Sequence, residues 1–164
     1  MYLPLRHNKV ANVIYQNIIP KVSANDRLPI REVYINKHVE IWWDTKIITL
    51  TPTKRNKPDI VLWNKADKKC FIIDISVGLD VNVTKNFRQK LDNYLPLAAE
   101  LKRLYDGYSF EIIPIAIGAT GLVTKSLQLM LKRIGVVNVD DVVLKCQKSA
   151  LLGTLKIVKS FMKM

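Results

Sequence analysis

Asp59-Ile60-Val61-Leu62-Trp63-Asn64, then Lys65-Ala66-Asp67-Lys68-Lys69, then Cys70-Phe71-Ile72-Ile73-Asp74-Ile75-Ser76-Val77 is the stretch that decides the fold of this chain. Two apolar runs of strand length flank a polar segment that can turn, so the stretch predicts a β-hairpin. With a symmetric turn, residues equidistant from the midpoint between Asn64 and Lys69 face each other. Asp59 and Asp74 meet that condition, which predicts direct cross-strand neighbours with Cβ atoms roughly 4.5–5.5 Å apart. Asp74 lies in the middle of an apolar run, an expensive place for an unpaired carboxylate. Alternation puts it on one face with Ile72 and Ser76, away from Phe71, Ile73 and Ile75.

Like charges held that close repel. A fold keeps such a pair when a cation lies between them or when one carboxylate holds a proton. A site with two carboxylates suits Mg²⁺ (or Mn²⁺), which retains several waters and binds through one or two carboxylates plus phosphate. The same residues have a structural reading, with Asp59 capping a turn after Pro58 and Asp74 paired with a lysine.

Outward from the hairpin, the chain reads as alternating helices and strands. Residues 8–19 predict a helix with Val10, Val13, Ile14 and Ile18 on one face, stopped by Pro20. Residues 21–37 show no clear period. Residues 38–50 are rich in Trp, Ile and Val and predict one or two strands, followed by a basic loop over 51–57. After Gly78, the residues Phe87, Leu91, Tyr94, Ala98 and Leu101 form one helical stripe, with Pro96 predicting a kink or break near 92–95. Residues 110–118 predict a buried strand, 126–134 a short helix stopped by Gly135, and 140–163 a long helix weakened by Gly153. The fold class is α/β, a central mixed sheet of about four strands flanked by helices. We expect one domain over 1–164, with an N-terminal helix and loop (1–37), a core (38–118) and C-terminal helices (119–164).

Lys and Arg number 26 against 14 Asp and Glu, a formal net charge of +12, and apolar residues make up 49%. The apolar fraction predicts a folded core. The charge points to a polyanionic partner, nucleic acid before an anionic membrane surface. No apolar run nears the roughly 20 residues of a membrane span, and the first residues carry no signal-peptide core. Cys70 and Cys146 form no disulfide framework or zinc motif, and His7 and His38 do not complete one. These features predict a protein of an intracellular, reducing compartment.

Lys57-Pro58-Asp59, then Ile72-Ile73-Asp74-Ile75-Ser76-Val77, then Lys90 followed by Tyr94, resembles the PD-(D/E)xK pattern of restriction-endonuclease-like enzymes. The variant is similar to the endonuclease domain at the C-terminus of early-branching, site-specific non-LTR retrotransposon polyproteins. Arg6-His7-Asn8, Trp43-Asp44 and the tail over 110–123 resemble that group too. The resemblance implies a restriction-endonuclease-like core and Mg²⁺-dependent nicking of target DNA. It implies Asp59 and Asp74 as metal ligands and Lys90 and Tyr94 as their catalytic partners, with Lys90 orienting water and Tyr94 positioning Lys90 or a phosphate. The wider superfamily has its lysine where Ser76 stands; in the retrotransposon variant it comes from the following helix, where Lys90 matches. A second lysine common in the group is Asn93 here. The group's polyproteins carry a reverse transcriptase and a zinc knuckle upstream, so the chain resembles a C-terminal fragment, and nuclear location is the corresponding expectation.

Lys54, Arg55, Lys57 and Arg88 are the expected contacts to the DNA backbone. Lys145, Lys148, Lys156, Lys159 and Lys163 fall within about an 80° sector of one helix face, either a solvated face or a DNA track. Val143, Ala150, Leu151, Val158 and Phe161 are expected on the core side. Trp42 and Trp43 could stack on an unpaired base, but burial of both is the expectation. Three functions stand at this point: a nicking endonuclease, a nucleic-acid-binding module that has lost cutting, and a basic structural protein. Both nucleic-acid functions predict DNA binding that weakens steeply with salt, because bound lysines and arginines displace condensed counterions. A flat salt titration by fluorescence anisotropy would leave only the structural function.

Overall fold

A computed structural model describes residues 2–21, 23 and 26–163, with side chains described from Arg6 onward. The elements in order are α1 (Tyr2–Ile18), β1 (Val33–Ile35), β2 (Val39–Trp43), β3 (Ile60–Asn64), β4 (Lys69–Gly78), α2 (Val83–Leu104), β5 (Ser109–Gly118), α3 (Lys125–Arg133) and α4 (Val139–Met162). A single 3-10 turn, Asp80–Asn82, leads into α2. The chain is α/β, with a five-stranded sheet in the order β1-β2-β3-β4-β5. The first four strands pair antiparallel. Ser109 N donates to the Lys68 carbonyl (2.9 Å) and Ala119 N to the Gly78 carbonyl (2.7 Å), so β5 runs parallel to β4. The sheet is therefore mixed, and the helical crossover α2 supplies the long connection that a parallel pair needs.

The fifth strand, beyond the expected four, is β1. Three residues are too short to show a period, and the strand exists because a turn pairs it with β2. Asn36 makes that turn, its Oδ1 accepting from the backbone N–H groups of His38 and Val39, both at 2.7 Å. Residues 38–50 hold one strand, which ends where Asp44 adopts a left-handed φ of 49°. Beyond it the loop is tied back by Asp44 N to the Asp59 carbonyl (2.8 Å) and Ile47 N to the Asn56 carbonyl (2.7 Å). Trp42 and Trp43 are half-buried rather than buried. Helix α2 runs through Pro96 without the expected break. Pro96 and Asp92 lie on the exposed side, where the carbonyl that loses its N–H partner can meet water.

The chain forms two compact units. In the unit made of Pro29–Asp74 and Arg88–Pro114, Val61, Trp63, Cys70 and Ile72 pack with Tyr94, Leu97 and Leu101 of α2. Leu97 replaces Leu91 in the expected stripe, and Leu91 is 36% exposed. Burial holds the Cys70 thiol well above its ordinary range.

In the unit made of Met1–Leu28, Ile75–Phe87 and Ile115–Met164, α1 packs along α4. The buried face of α4 is Val142, Val143, Cys146, Ala150 and Gly153. Leu151, Val158 and Phe161, expected on the core side, are exposed. Close approach of α1 selects the smaller residues. A Cβ on Gly153 would lie 2.8 Å from Arg6 Cβ and 3.1 Å from Arg6 Cα, atoms too near the main chain to swing away. At an open helical site Gly→Ala would gain about 1 kcal/mol. Here Gly153→Ala should instead lower unfolding stability by about 1–3 kcal/mol through overpacking. A rise in the melting temperature of the variant would overturn this account of the helix pair.

Candidate active site

The β3–β4 register runs from Ile60 opposite Ile73 to Asn64 opposite Lys69, around a four-residue turn in which Lys68 takes a left-handed φ of 54°. One step further along that register, Asp59 meets Asp74. Asp59 lies just before β3, and its backbone N–H donates to Asp74 Oδ1 at 3.3 Å. Its half-buried carboxyl is near enough to Asp74 for the two like charges to act on each other.

Asp74 is 3% exposed. Helix α2 supplies what offsets the burial. Lys90 Nζ is 2.6 Å from Asp74 Oδ2, an ion pair whose angle is poor for a hydrogen bond. One turn along the same helix face, the Tyr94 hydroxyl lies 3.3 Å from Asp74 Oδ1 and 3.4 Å from the Lys57 carbonyl. Its single proton can serve only one of them at a time. Tyr94 therefore steadies Asp74 and the loop before Asp59. Burial, then the charges of Asp74 and Asp59, push the Tyr94 hydroxyl up, so it stays a donor.

The electrostatics follow from this placement. Burial foremost, then repulsion by Asp59, raises the Asp74 carboxyl from an ordinary 3.8 to about 7, against the opposing pull of Lys90. Two carboxylates so arranged fit a small hard cation that takes few protein ligands. Among the described residues no cluster of three or more His, Cys, Asp or Glu is placed to hold a metal.

Asp59, Asp74, Lys90 and Tyr94 are thus gathered at one place. Arg55 is near enough for its charge to act on Tyr94. Lys57 is exposed, with its ammonium 3.6 Å from Asp44 Oδ1. Lys54 is exposed on the same loop, and no described contact ties it to the pair. Arg88 is exposed two residues before Lys90, and residues two apart do not share a helix face, so it is turned away from the Lys90–Tyr94 side. Ser76 Oγ is buried without a hydrogen-bond partner among the described residues. Sequence reasoning missed the main-chain parts of the site, the N–H of Asp59 and the N–H of Asp44 that holds the Asp59 carbonyl. Backbone groups carry no residue-type signal.

A scan of the chain against models of protein families finds no match, and a search of curated proteins finds none.

The raised Asp74 pKa has a signed consequence for stability. Between an ordinary 3.8 and about 7 the folded chain keeps a proton that the unfolded chain has lost. The contribution of this group is therefore complete below about pH 4, declines as the pH rises, and is gone above about pH 7. The stability of wild type relative to Asp74→Asn should fall across that window when melting curves are compared at fixed salt. A flat difference would overturn the buried, repelled state of Asp74.

Proposed function

We propose that this chain is a metal-dependent DNA endonuclease domain of the PD-(D/E)xK kind, nicking target DNA as in the retrotransposon enzymes it resembles. The observation that carries the reading is the cross-strand pair Asp59–Asp74 meeting Lys90 and Tyr94 from one face of α2. The antiparallel strands β2–β4, followed by a helical crossover to a parallel strand, suit a restriction-endonuclease-like core.

In this mechanism Asp59 and Asp74 hold Mg²⁺ or Mn²⁺. Held there, such an ion would supply positive charge for a scissile phosphate and for the acidity of a water beside it. The chain's own residues do the positioning. Asp74 is fixed by the Asp59 N–H, by Tyr94 and by Lys90. Lys90, 30% exposed on its side chain, carries an ammonium that can orient water or balance charge developing on the phosphate oxygens. Arg55, Lys57 and Lys54 present cations to the DNA backbone. The helical lysine takes the place left by Ser76. In a longer polyprotein the domain would act with a reverse transcriptase, in the nucleus.

A second reading keeps DNA binding without cutting. Its specific support is the Lys90–Asp74 ion pair, which gives the buried carboxylate a cationic partner from the chain itself.

Mutants separate the two. Asp74→Ala should reduce Mg²⁺-dependent nicking of supercoiled DNA by roughly 10²-fold or more, and leave binding in EDTA unchanged or tighter, since a negative charge near the phosphate is removed. Lys90→Ala should also stop nicking but weaken binding slightly. Ser76→Ala should change neither. Opposite signs on binding with a shared loss of cutting do not arise from unfolding. Wild-type protein that nicks no supercoiled or branched DNA with Mg²⁺ or Mn²⁺ would leave the binding module in place of the enzyme.

A further inference from the structure

A cavity lies in the unit of residues 29–74 and 88–114, and its residues are not those of the acidic pair. It holds about 170 Å³ and is lined by Glu40, Trp42, Trp63, Tyr105 and Tyr108. Trp63, 5% exposed, is the centre of the cluster. The Tyr105, Trp42 and Tyr108 ring centroids lie 4.8, 5.2 and 5.3 Å from its own. The interplanar angles of 58°, 56° and 82° make these tilted and edge-on packings against Trp63 rather than a stack, and the cavity opens beside them.

The topology explains the grouping. Glu40 and Trp42 share one face of β2 by alternation, and Trp63 is the direct partner of Glu40 on β3. Tyr105 follows the last residue of α2, and Tyr108 immediately precedes β5. Glu40 is held in place by Trp42 Nε1, which donates to its Oε1 at 2.9 Å. Among the described residues no cation pairs with Glu40. Tyr105 is 42% exposed, while Trp42 and Tyr108 are half-buried, so the cavity is reachable.

The chemistry of this lining selects a cation. Aromatic faces carry negative charge density and attract ammonium groups. The chain itself uses that attraction, with Lys68 Nζ 5.1 Å from the Tyr108 ring centroid. The only charged lining residue is a carboxylate, in a chain whose net charge is +12. A phosphate-bearing nucleotide would be repelled by Glu40. A bare metal ion would find one carboxylate and no other strong oxygen ligand. An ammonium carrying methyl groups sheds water readily, spreads its charge over an apolar surface and meets both the rings and the carboxylate. A groove of about 440 Å³ shares Glu40, Trp42 and Tyr105 with the cavity and continues along Val33, Ile47 and Leu101, with Lys46 as its one cation, which leaves room for a chain bearing the group.

We propose that the Glu40–Trp42–Trp63–Tyr105–Tyr108 cavity is a binding site for a methylated ammonium group, either free as in choline or carried on a lysine side chain.

Tryptophan emission reads the site directly, because two of the three tryptophans line it. Titration of the whole chain at matched ionic strength should give a saturable change with tetramethylammonium chloride and with trimethyllysine amide. Unmodified lysine amide should bind about tenfold or more weakly. Glu40→Gln and Tyr105→Ala should each weaken binding by about tenfold, while Tyr105→Phe keeps it. Tyr105 and Glu40 are not core residues, so these variants should retain wild-type circular dichroism, whereas Trp63→Ala would damage the core. Tighter binding of choline than of trimethyllysine amide assigns a free ligand, and the reverse assigns a modified protein chain. The proposal is overturned by an unsaturable response, by equal affinity for unmodified lysine, or by binding of AMP without binding of tetramethylammonium. None of these readouts depends on nicking, so failure here and failure of the nuclease reading are distinguishable.

Discussion

A carboxylate buried in an apolar strand is the constraint around which the unit of residues 29–74 and 88–114 is arranged. Water removed from Asp74 must be replaced by partners, because an ionised group left alone in an apolar interior would take up a proton or unfold its surroundings. The replacements come from three directions: a main-chain N–H from Asp59, a hydroxyl from Tyr94 and an ammonium from Lys90. They do not fully succeed, since burial, and after it the second carboxylate beside Asp74, works against them and the proton affinity stays high. A bound cation would complete this unfinished balance, which is the physical content of the proposed nuclease function.

That arrangement depends on register. A slip of one residue across β3 and β4 would turn Asp74 to the other face and put Ile73 or Ile75 under α2. Several features agree on the register: the symmetric turn with Lys68 in a left-handed conformation, apolar residues on both faces of β4, and the fit of Ile72 and Cys70 against Leu97 and Leu101. Helix α2 thereby serves two ends. Its Tyr94, Leu97 and Leu101 are core, and Lys90, one turn before Tyr94, is carried to the carboxylate by the same helical period. The break that Pro96 suggests would have uncoupled the two.

The unit built from α1, α3 and α4 solves a different problem. Small residues on α4 admit α1 closely, and the buried Arg6 side chain is anchored at its guanidinium by the Val77 carbonyl (2.8 Å) and Thr154 Oγ1 (3.2 Å). Thr154 Oγ1 in turn lies 2.7 Å from the Ala119 carbonyl. The lysines on the exposed part of α4 include near neighbours of like charge. Lys9 is lowered by the adjoining Lys156, and Lys145 pairs with Asp141 at 2.9 Å. The exposed Leu151, Val158 and Phe161 show that an apolar period identifies a helix more reliably than it identifies which side of the helix is covered.

The sequence alone determined the elements with strong local signals and the pairing of the acids. Asp59, the turn and Asp74 are close along the chain, so counting residues across one hairpin was enough to predict that the carboxylates meet; Lys90 and Tyr94 were pointed out by the family resemblance, and helical period put them on one face. The α/β class, the helix stop at Gly135 and the long last helix were legible for the same reason. Tertiary structure alone decided the rest. Strand β1 forms because β2 offers it an edge, not because its three residues have a period. Gly153 marks a close approach of α1, which no window of α4 contains. Tyr94 turns to Asp74 because burial makes that carboxylate the neediest acceptor nearby. The Glu40–Trp42 pair, Trp63 and the Tyr105–Tyr108 pair lie far apart in the chain, and only sheet pairing and the end of α2 bring their side chains around one space. Local order depends on neighbours a few residues away; long-range juxtaposition depends on which faces are left uncovered once the sheet and helices have packed.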